Sequence, residues 1–268
     1  MLHYEFMRHA FAASALVAVL AGPVGWFLVL RGQAFAGHAL SHVGFAGAAA
    51  ALWLGMPPLA GMIIAALLGG VAMGQEGRHA PLFGSRDTMI GLVLAASLGL
   101  GLFCLQRVNA PGGATTALLF GDVLGVDDRT LWALGAITVV SLTVLAVICR
   151  PLLFASLDRD AAQAAGVPVS GIAMMFMGVT ALGVAACTEV TGVLLTFSLL
   201  VGPAACLLRL GASPMVGLTG SVALALGLAW GGLAASWWTD APVAFWIGMG
   251  SVACYGMAIG ITSRRSRW

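Results

Sequence analysis

The sequence predicts an all-α, polytopic integral membrane protein with eight or nine transmembrane helices. Three observations carry this. First, 60% of the 268 residues are hydrophobic and only 8% are charged, against about 25% charged in soluble domains. So few charges cannot cover a water-facing surface, which makes lipid the solvent for most of the exterior. Second, charges and Pro/Gly breaks divide the chain into apolar runs of roughly 20 residues, the length that crosses a bilayer as a helix. Third, 37 glycines and many Ala, Ser and Thr residues let helices approach closely, which suits a packed bundle better than a lone anchor. Residues 1–268 are expected to form a single transmembrane domain.

The spans follow in order. Arg8 and Arg31 bracket the first. The stretch from Arg31 to Glu76 has room for two, divided at Met56-Pro57-Pro58, where fixed φ angles and missing N–H groups stop a helix. Asp87 and Arg107 bracket a fourth span, and Arg129 and Arg150 a fifth. Between Asp160 and Arg209 lie a sixth and a seventh, divided near Glu189 and hard to separate. Asp240 divides an eighth from a ninth. Between Arg107 and Arg129, the apolar stretch 117–125 predicts a short helix at the surface or dipping inward, which needs protein or a water-filled cavity around its backbone. The N-terminal apolar run lacks a small-residue cleavage site, so no removable signal peptide is expected.

Arginine placement orients the bundle. With the C-terminus inside, nine of the twelve arginines (Arg31, Arg78, Arg86, Arg150, Arg159, Arg209, Arg264, Arg265, Arg267) fall on the cytoplasmic side and three (Arg8, Arg107, Arg129) outside. This places the N-terminus outside. Six of ten acids (Glu5, Asp122, Asp127, Asp128, Glu189, Asp240) then face outward, where they either tolerate outer loops or modestly concentrate cations. A net charge of +2 gives no footprint for nucleic acid. The five cysteines form no CxxC pair and read as packing residues, as do Met174, Met175 and Met177. His3, His9 and His79 sit in charged flanks and read as solvated, and Trp237, Trp238, Trp246 and Trp268 as an interfacial belt.

The cytoplasmic loop 150–170 is expected to open at Pro151 and to hold a short helix. Ser156 or Asp158 can cap it, and Leu157, Ala161, Ala164 and Ala165 give it a small apolar face. Gly166 can end it, and Pro168 prevents its continuation. Such a rigid element is either a surface turn or a docking point for a soluble partner.

Near the start of the second span, His38 and His42 stand four residues apart, so a helix sets both imidazoles on one face. This spacing suits two nitrogen ligands for one metal ion. Ala39 stands where HExxH has its general base, so metalloprotease chemistry is not supported. Ionisable residues within a span usually face the bundle interior and mark a substrate path. Imidazole suits zinc better than the oxygen-preferring ions. Two ligands do not complete a tetrahedral site, and what completes it is Glu189, Asp240, a water or nothing lasting. Asp240, followed by Ala241-Pro242, also reads as a helix N-cap before the last span.

Five segments in order resemble the metal-transport permeases of bacterial ABC importers for zinc and manganese. They are AFAGHALSHVG (34–44) preceded by Arg31, LFGDVLG (119–125), the 157–168 loop ending Ala-Ala-Gly-Val-Pro, VTGVLLTFSLLVGPAA (190–205), and Asp240-Ala241-Pro242. The resemblance runs over nearly the whole chain. It implies a multi-pass protein of the bacterial inner membrane that is not itself an enzyme. It further implies a second permease copy, a cytoplasmic ATP-binding subunit and an extracytoplasmic metal-binding solute protein. Residues 157–166 resemble the coupling helix that docks on the ATPase, with Leu157, Asp158, Ala161, Ala165 and Gly166 as its contact residues. No cofactor is implied beyond the transported Zn²⁺, Mn²⁺ or Fe²⁺. The absence of a GxxxxGK[ST] motif agrees with an ATPase on another chain. One position departs from the family: His38 stands where the family usually has Asp, while His42 and Asp240 match. The His38–His42 pair lacks the hard oxygen ligand and favours zinc.

The expected metal path is therefore His38, His42 and Asp240. Two rivals remain from the sequence: an ABC permease for a metal chelate or other cargo, and an ATP-independent secondary carrier. A membrane enzyme is a poor third, for no nucleophile–base pair is evident.

Overall fold

The computed structural model describes residues 3–75, 86–108 and 112–265. Among these residues every regular element is a helix: α1 (Glu5–Leu30), α2 (Ala34–Trp53), α3 (Pro58–Gln75), α4 (Arg86–Val108), α5 (Gly112–Phe120), α6 (Asp128–Leu157), α7 (Arg159–Ala164), α8 (Val169–Thr191), α9 (Val193–Arg209), α10 (Pro214–Thr239) and α11 (Val243–Arg265). Seven have the length and apolarity to cross a membrane, and the shorter apolar helices α3 and α9 make nine. That is the upper of the two expected counts. His79, Trp268, Arg78 and Arg267 lie outside the described residues.

The helices at the centre are apolar on all sides, as buried helices are. In α1 and α2 two thirds of the spanning window is buried, against 17% in α11 and 22% in α4. The centre therefore forms around α1, α2, α8 and α9, with α4, α6, α10 and α11 outside. Small residues permit this. A Cβ on Gly25 of α1 would lie 1.7 Å from the Leu200 carbonyl oxygen of α9, so the two backbones touch where a side chain would otherwise stand. Phe27 of α1 and Phe176 of α8 meet edge to face within the main core.

Two boundaries differ from expectation. Pro151 does not open the cytoplasmic loop. Instead, α6 runs 30 residues through it to Leu157. Proline removes one N–H from the ladder, but membrane helices tolerate such breaks, and α1 and α9 likewise contain Pro23 and Pro203. The division near Glu189 falls instead at Gly192 (φ 77°, ψ 163°), a conformation nearly confined to glycine. The freed backbone groups at this break are paired locally. The Gly192 N–H donates to the Thr188 carbonyl (2.9 Å), and the Gly192 carbonyl accepts from the Thr196 hydroxyl (2.8 Å).

The loop helix α5 ends earlier than expected, at Phe120, and Gly121 (φ 82°) turns the chain. This turn lies directly on the α8–α9 break. A Cβ on Gly192 would meet the Gly121 nitrogen at 2.3 Å, and one on Gly121 would meet the Val190 oxygen at 2.4 Å. At Gly121 the segment therefore has protein packed directly against its backbone. Of the three methionines read as packing, only Met177 is buried, whereas Met174 and Met175 lie on the exposed apolar face of α8. His9 is not fully solvated: its Nδ1 is 3.3 Å from the Val126 carbonyl oxygen, and its Nε2 is 3.3 Å from an Asp128 carboxylate oxygen. It ties α1 to the start of α6.

That start is capped by Asp127, whose side chain accepts from the Thr130 N–H at 2.8 Å. Hydrogen bonds from Thr130, its side chain first and its backbone N–H second, hold the Asp127 carboxyl below its ordinary value of 3.8. A depressed carboxylate contributes stability above its unfolded value and loses it as pH falls through the folded value. Hydrogen-exchange protection at the Thr130 amide is expected to weaken in acid below pH 3.8, and Asp127→Asn is expected to remove that pH dependence.

The short helix α7 forms as expected. Asp158, not Ser156, caps it, accepting from the Ala161 N–H at 2.9 Å. Gly166 (φ 80°) ends it. Ala162 alone turns inward, packing with Ala155 and Val169. Leu157, Ala161, Ala164 and Ala165 stay exposed, which leaves the expected apolar face open.

Candidate functional site

The second helix sets the two imidazoles in contact. The His38 and His42 rings lie 4.9 Å apart, nearly perpendicular at 87°. His38 is also edge-on to Phe197 of α9 (5.3 Å) and tilted against Phe35 (6.2 Å). Beside them Ser41 donates to the His38 carbonyl at 2.7 Å and lies 3.5 Å from the Val193 oxygen, at the first residue after the Gly192 break. The pair therefore sits where α2 passes the α8–α9 discontinuity.

His42 is only 5% exposed, and His38 is half-buried. The Nδ1 atoms of both are buried with no protein partner. Buried polar atoms are almost always hydrogen-bonded, so two orphaned ring nitrogens on adjacent side chains call for an explanation. Among the described residues no group of three His, Cys, Asp or Glu side chains is placed to hold a metal. The two imidazoles thus stand as a pair with no third His, Cys, Asp or Glu side chain grouped beside them among the described residues.

Asp240 lies elsewhere. It caps the end of α10 rather than the start of α11, in the left-handed region (φ 53°). It lines a cavity of about 560 Å³ with Asp122, Ser14, Thr191 and Ser236, and neither histidine lines that cavity. A second cavity of about 220 Å³ holds Glu189, Asp122, Thr130 and Thr188. Asp122 borders both. Its Oδ1 accepts from the Gly125 N–H at 2.9 Å, and both its carboxylate oxygens lie against Gly125. Sequence reasoning placed Asp122 within a motif and among the outward-facing acids, without joining it to Glu189. Its partner Glu189 is 67 positions away, and no spacing rule joins them.

A bundle of membrane-crossing helices with paired imidazoles inside, acid-lined cavities at one end and a short capped helix at the other defines a polytopic transport protein. The chain matches the ABC 3 transport family over residues 3–259 and belongs to it. It is 35% identical over 210 residues to a probable metal transport system membrane protein of Treponema pallidum, covering 78% of each chain. It is 30% identical over 205 residues to the manganese transport system membrane protein MntC of Halalkalibacterium halodurans, covering 76% of this chain and 70% of the relative. Its fold matches PsaBC from Streptococcus pneumoniae, solved in complex with Fab, with a TM-score of 0.85 at 24% identity, covering 95% of this chain and 91% of the other. The chain is a metal-transport permease of the ABC class and a multi-pass protein of the cytoplasmic membrane.

Proposed function

We propose that the chain is the permease subunit of an ATP-driven importer of divalent transition-metal ions that prefers zinc to manganese or iron. The observation that carries this is the buried His38–His42 pair with both Nδ1 atoms unpartnered. Neutral imidazoles bind zinc more tightly than manganese, by the ordinary order of divalent-ion affinities. Two ligands hold an ion long enough to select it and loosely enough to release it. The relatives named for metal or manganese transport support a divalent cargo, while the imidazole at position 38 supports the shift toward zinc.

The remaining parts take their roles from placement. Asp122, Glu189 and Asp240 gather cations at the α5 end, where an extracytoplasmic solute protein delivers the ion. The ion passes inward by His38 and His42. At the other end the exposed face of α7, from Leu157 through Ala161 to Ala165 and Gly166, docks an ATP-binding subunit. A second copy of the chain pairs against the exposed apolar outer helices. ATP hydrolysis belongs to the partner, and this chain performs no covalent chemistry.

The test is radioactive-metal uptake into proteoliposomes holding the permease with its ATPase and solute protein. ATP-dependent zinc uptake, faster than manganese or iron at equal concentration, is the expected result. Uptake without ATP, driven by a proton gradient, would mean a secondary carrier. One observation favours a second reading: the 560 Å³ cavity has room for a small chelate. Uptake of chelated metal but not of the free ion would establish that reading instead.

A further inference from the structure

The turn between α1 and α2 is anchored by Arg31, which joins three helices at the α7 end. Its Nε donates to the Gln33 side-chain oxygen (3.2 Å), at the residue before α2 begins. Its Nη1 donates to the Ser156 hydroxyl (3.2 Å) in the last turn of α6. Its guanidinium lies 5.7 Å from the centre of the Phe176 ring of α8. Ser156 in turn donates to the Leu152 carbonyl, so its hydroxyl is held toward Arg31.

These contacts connect two places that share no residue. On one side, Ser156 adjoins Ala155, which packs against Ala162, the one inward-facing residue of α7. On the other, Gln33 is the N-cap position of α2, five residues before His38. The Arg31 side chain gives a displacement of α7 that shifts the end of α6 a direct route to the start of the histidine helix. Arginine suits this: its donors leave in a fixed fork, and its face stacks on an aromatic ring while its edges bond. Phe176 also meets Phe27 edge to face, so the guanidinium is backed by the core.

We propose that Arg31 is a positioning residue that couples the α7 end of the permease to the metal-holding helix, so that its loss separates ATP hydrolysis from metal movement. The proposal rests on the reading that α7 docks an ATPase and that His38 and His42 hold the ion. Coupling between distant sites travels through elements with two discrete arrangements, and contact alone does not establish it. The measurement must therefore read coupling rather than amount.

The experiment compares zinc ions imported per ATP hydrolysed in the reconstituted complex for wild type, Arg31→Ala, Arg31→Lys, Ser156→Ala and the Arg31→Ala/Ser156→Ala double variant. The ratio is expected to fall about threefold or more in Arg31→Ala, within the range by which linking residues change coupling. A smaller fall is expected in Ser156→Ala. The double variant should be no worse than Arg31→Ala, because Arg31→Ala already removes the contact that Ser156→Ala removes. Arg31→Lys keeps the charge but loses the fork, so it should restore the ratio only in part. A merely structural role lowers uptake and hydrolysis together and leaves the ratio unchanged, which would overturn the proposal. So would full restoration by lysine, or strictly additive losses in the double variant. If Arg31→Ala does not assemble, a wild-type ratio in Ser156→Ala overturns it alone. A wild-type complex that imports no metal with ATP sinks the underlying transport reading, an outcome distinct from all of these.

Discussion

His42→Ala is expected to reduce ATP-dependent zinc uptake by about 100-fold, the equivalent of about 2.7 kcal/mol of lost ion binding. The argument starts from burial. His42 is 5% exposed and its Nδ1 has no protein partner, so little hydrogen bonding is lost when the ring is removed. The complex should therefore still assemble, and the loss should appear in transport. With only two nitrogens at the site, removing one leaves a single ligand, and no third ligating side chain among the described residues stands ready to replace it. His38→Ala should act in the same direction. His38→Asp is more informative because it exchanges a borderline nitrogen for a hard oxygen. The ratio of zinc to manganese uptake in a competition assay should drop, with manganese uptake retained or raised. If His42→Ala imports zinc at the wild-type rate, the imidazoles are packing residues and the path runs through the acids instead.

How much of this could be read from the sequence depended on whether the cause was local. The break at Met56-Pro57-Pro58 was legible because two successive prolines withdraw two N–H groups and turn the residue before each away from the helix. The imidazoles on one face of α2 were legible because a four-residue spacing is enough. The α7 cap was legible in the same way, through Asp158 and Gly166. What escaped the sequence reading involved contacts between distant residues. Pro151 looks like a helix stop, yet α6 continues through it because membrane helices absorb such breaks. Thr191-Gly192-Val193 sits inside an apolar run with nothing local to mark it, and the break is fixed by Gly121, 71 positions earlier. Asp122 and Glu189 share a cavity, and His9 meets Val126 and Asp128. Each of these depends on which helices become neighbours, which composition and periodicity do not specify. The placement of Asp240 belongs here too. Its neighbours Ala241 and Pro242 suggest the start of a helix, while the structure sets it at the end of the preceding one.

The close approach of Gly121 and Gly192 leads to the largest expected loss of stability. Gly192→Ala carries two separate penalties. Its backbone (φ 77°, ψ 163°) lies in a region that residues with a Cβ avoid, at a cost of about 1–3 kcal/mol. The added methyl would also stand 2.3 Å from the Gly121 nitrogen, 2.4 Å from the Phe120 carbonyl carbon and 2.5 Å from the Leu119 oxygen. These are backbone atoms and cannot swing aside as a side-chain tip can, so overpacking adds about 1–3 kcal/mol more. The sum is about 2–6 kcal/mol, expected as a fall of roughly 10 °C in the unfolding temperature of the detergent-solubilised protein. Gly227→Ala is the matched control: it lies within α10, and its Cβ would meet nothing within 4 Å. There alanine should be neutral or slightly stabilising. Transport should follow stability only in part. The α8–α9 break also sets the Val193 carbonyl beside Ser41, between the two histidines in sequence. Any Gly192→Ala protein that folds should therefore import zinc more slowly per folded complex than wild type. Equal stability of Gly192→Ala and Gly227→Ala would mean that the α5 turn yields easily. In that case the histidine helix does not depend on a rigid neighbour at this point.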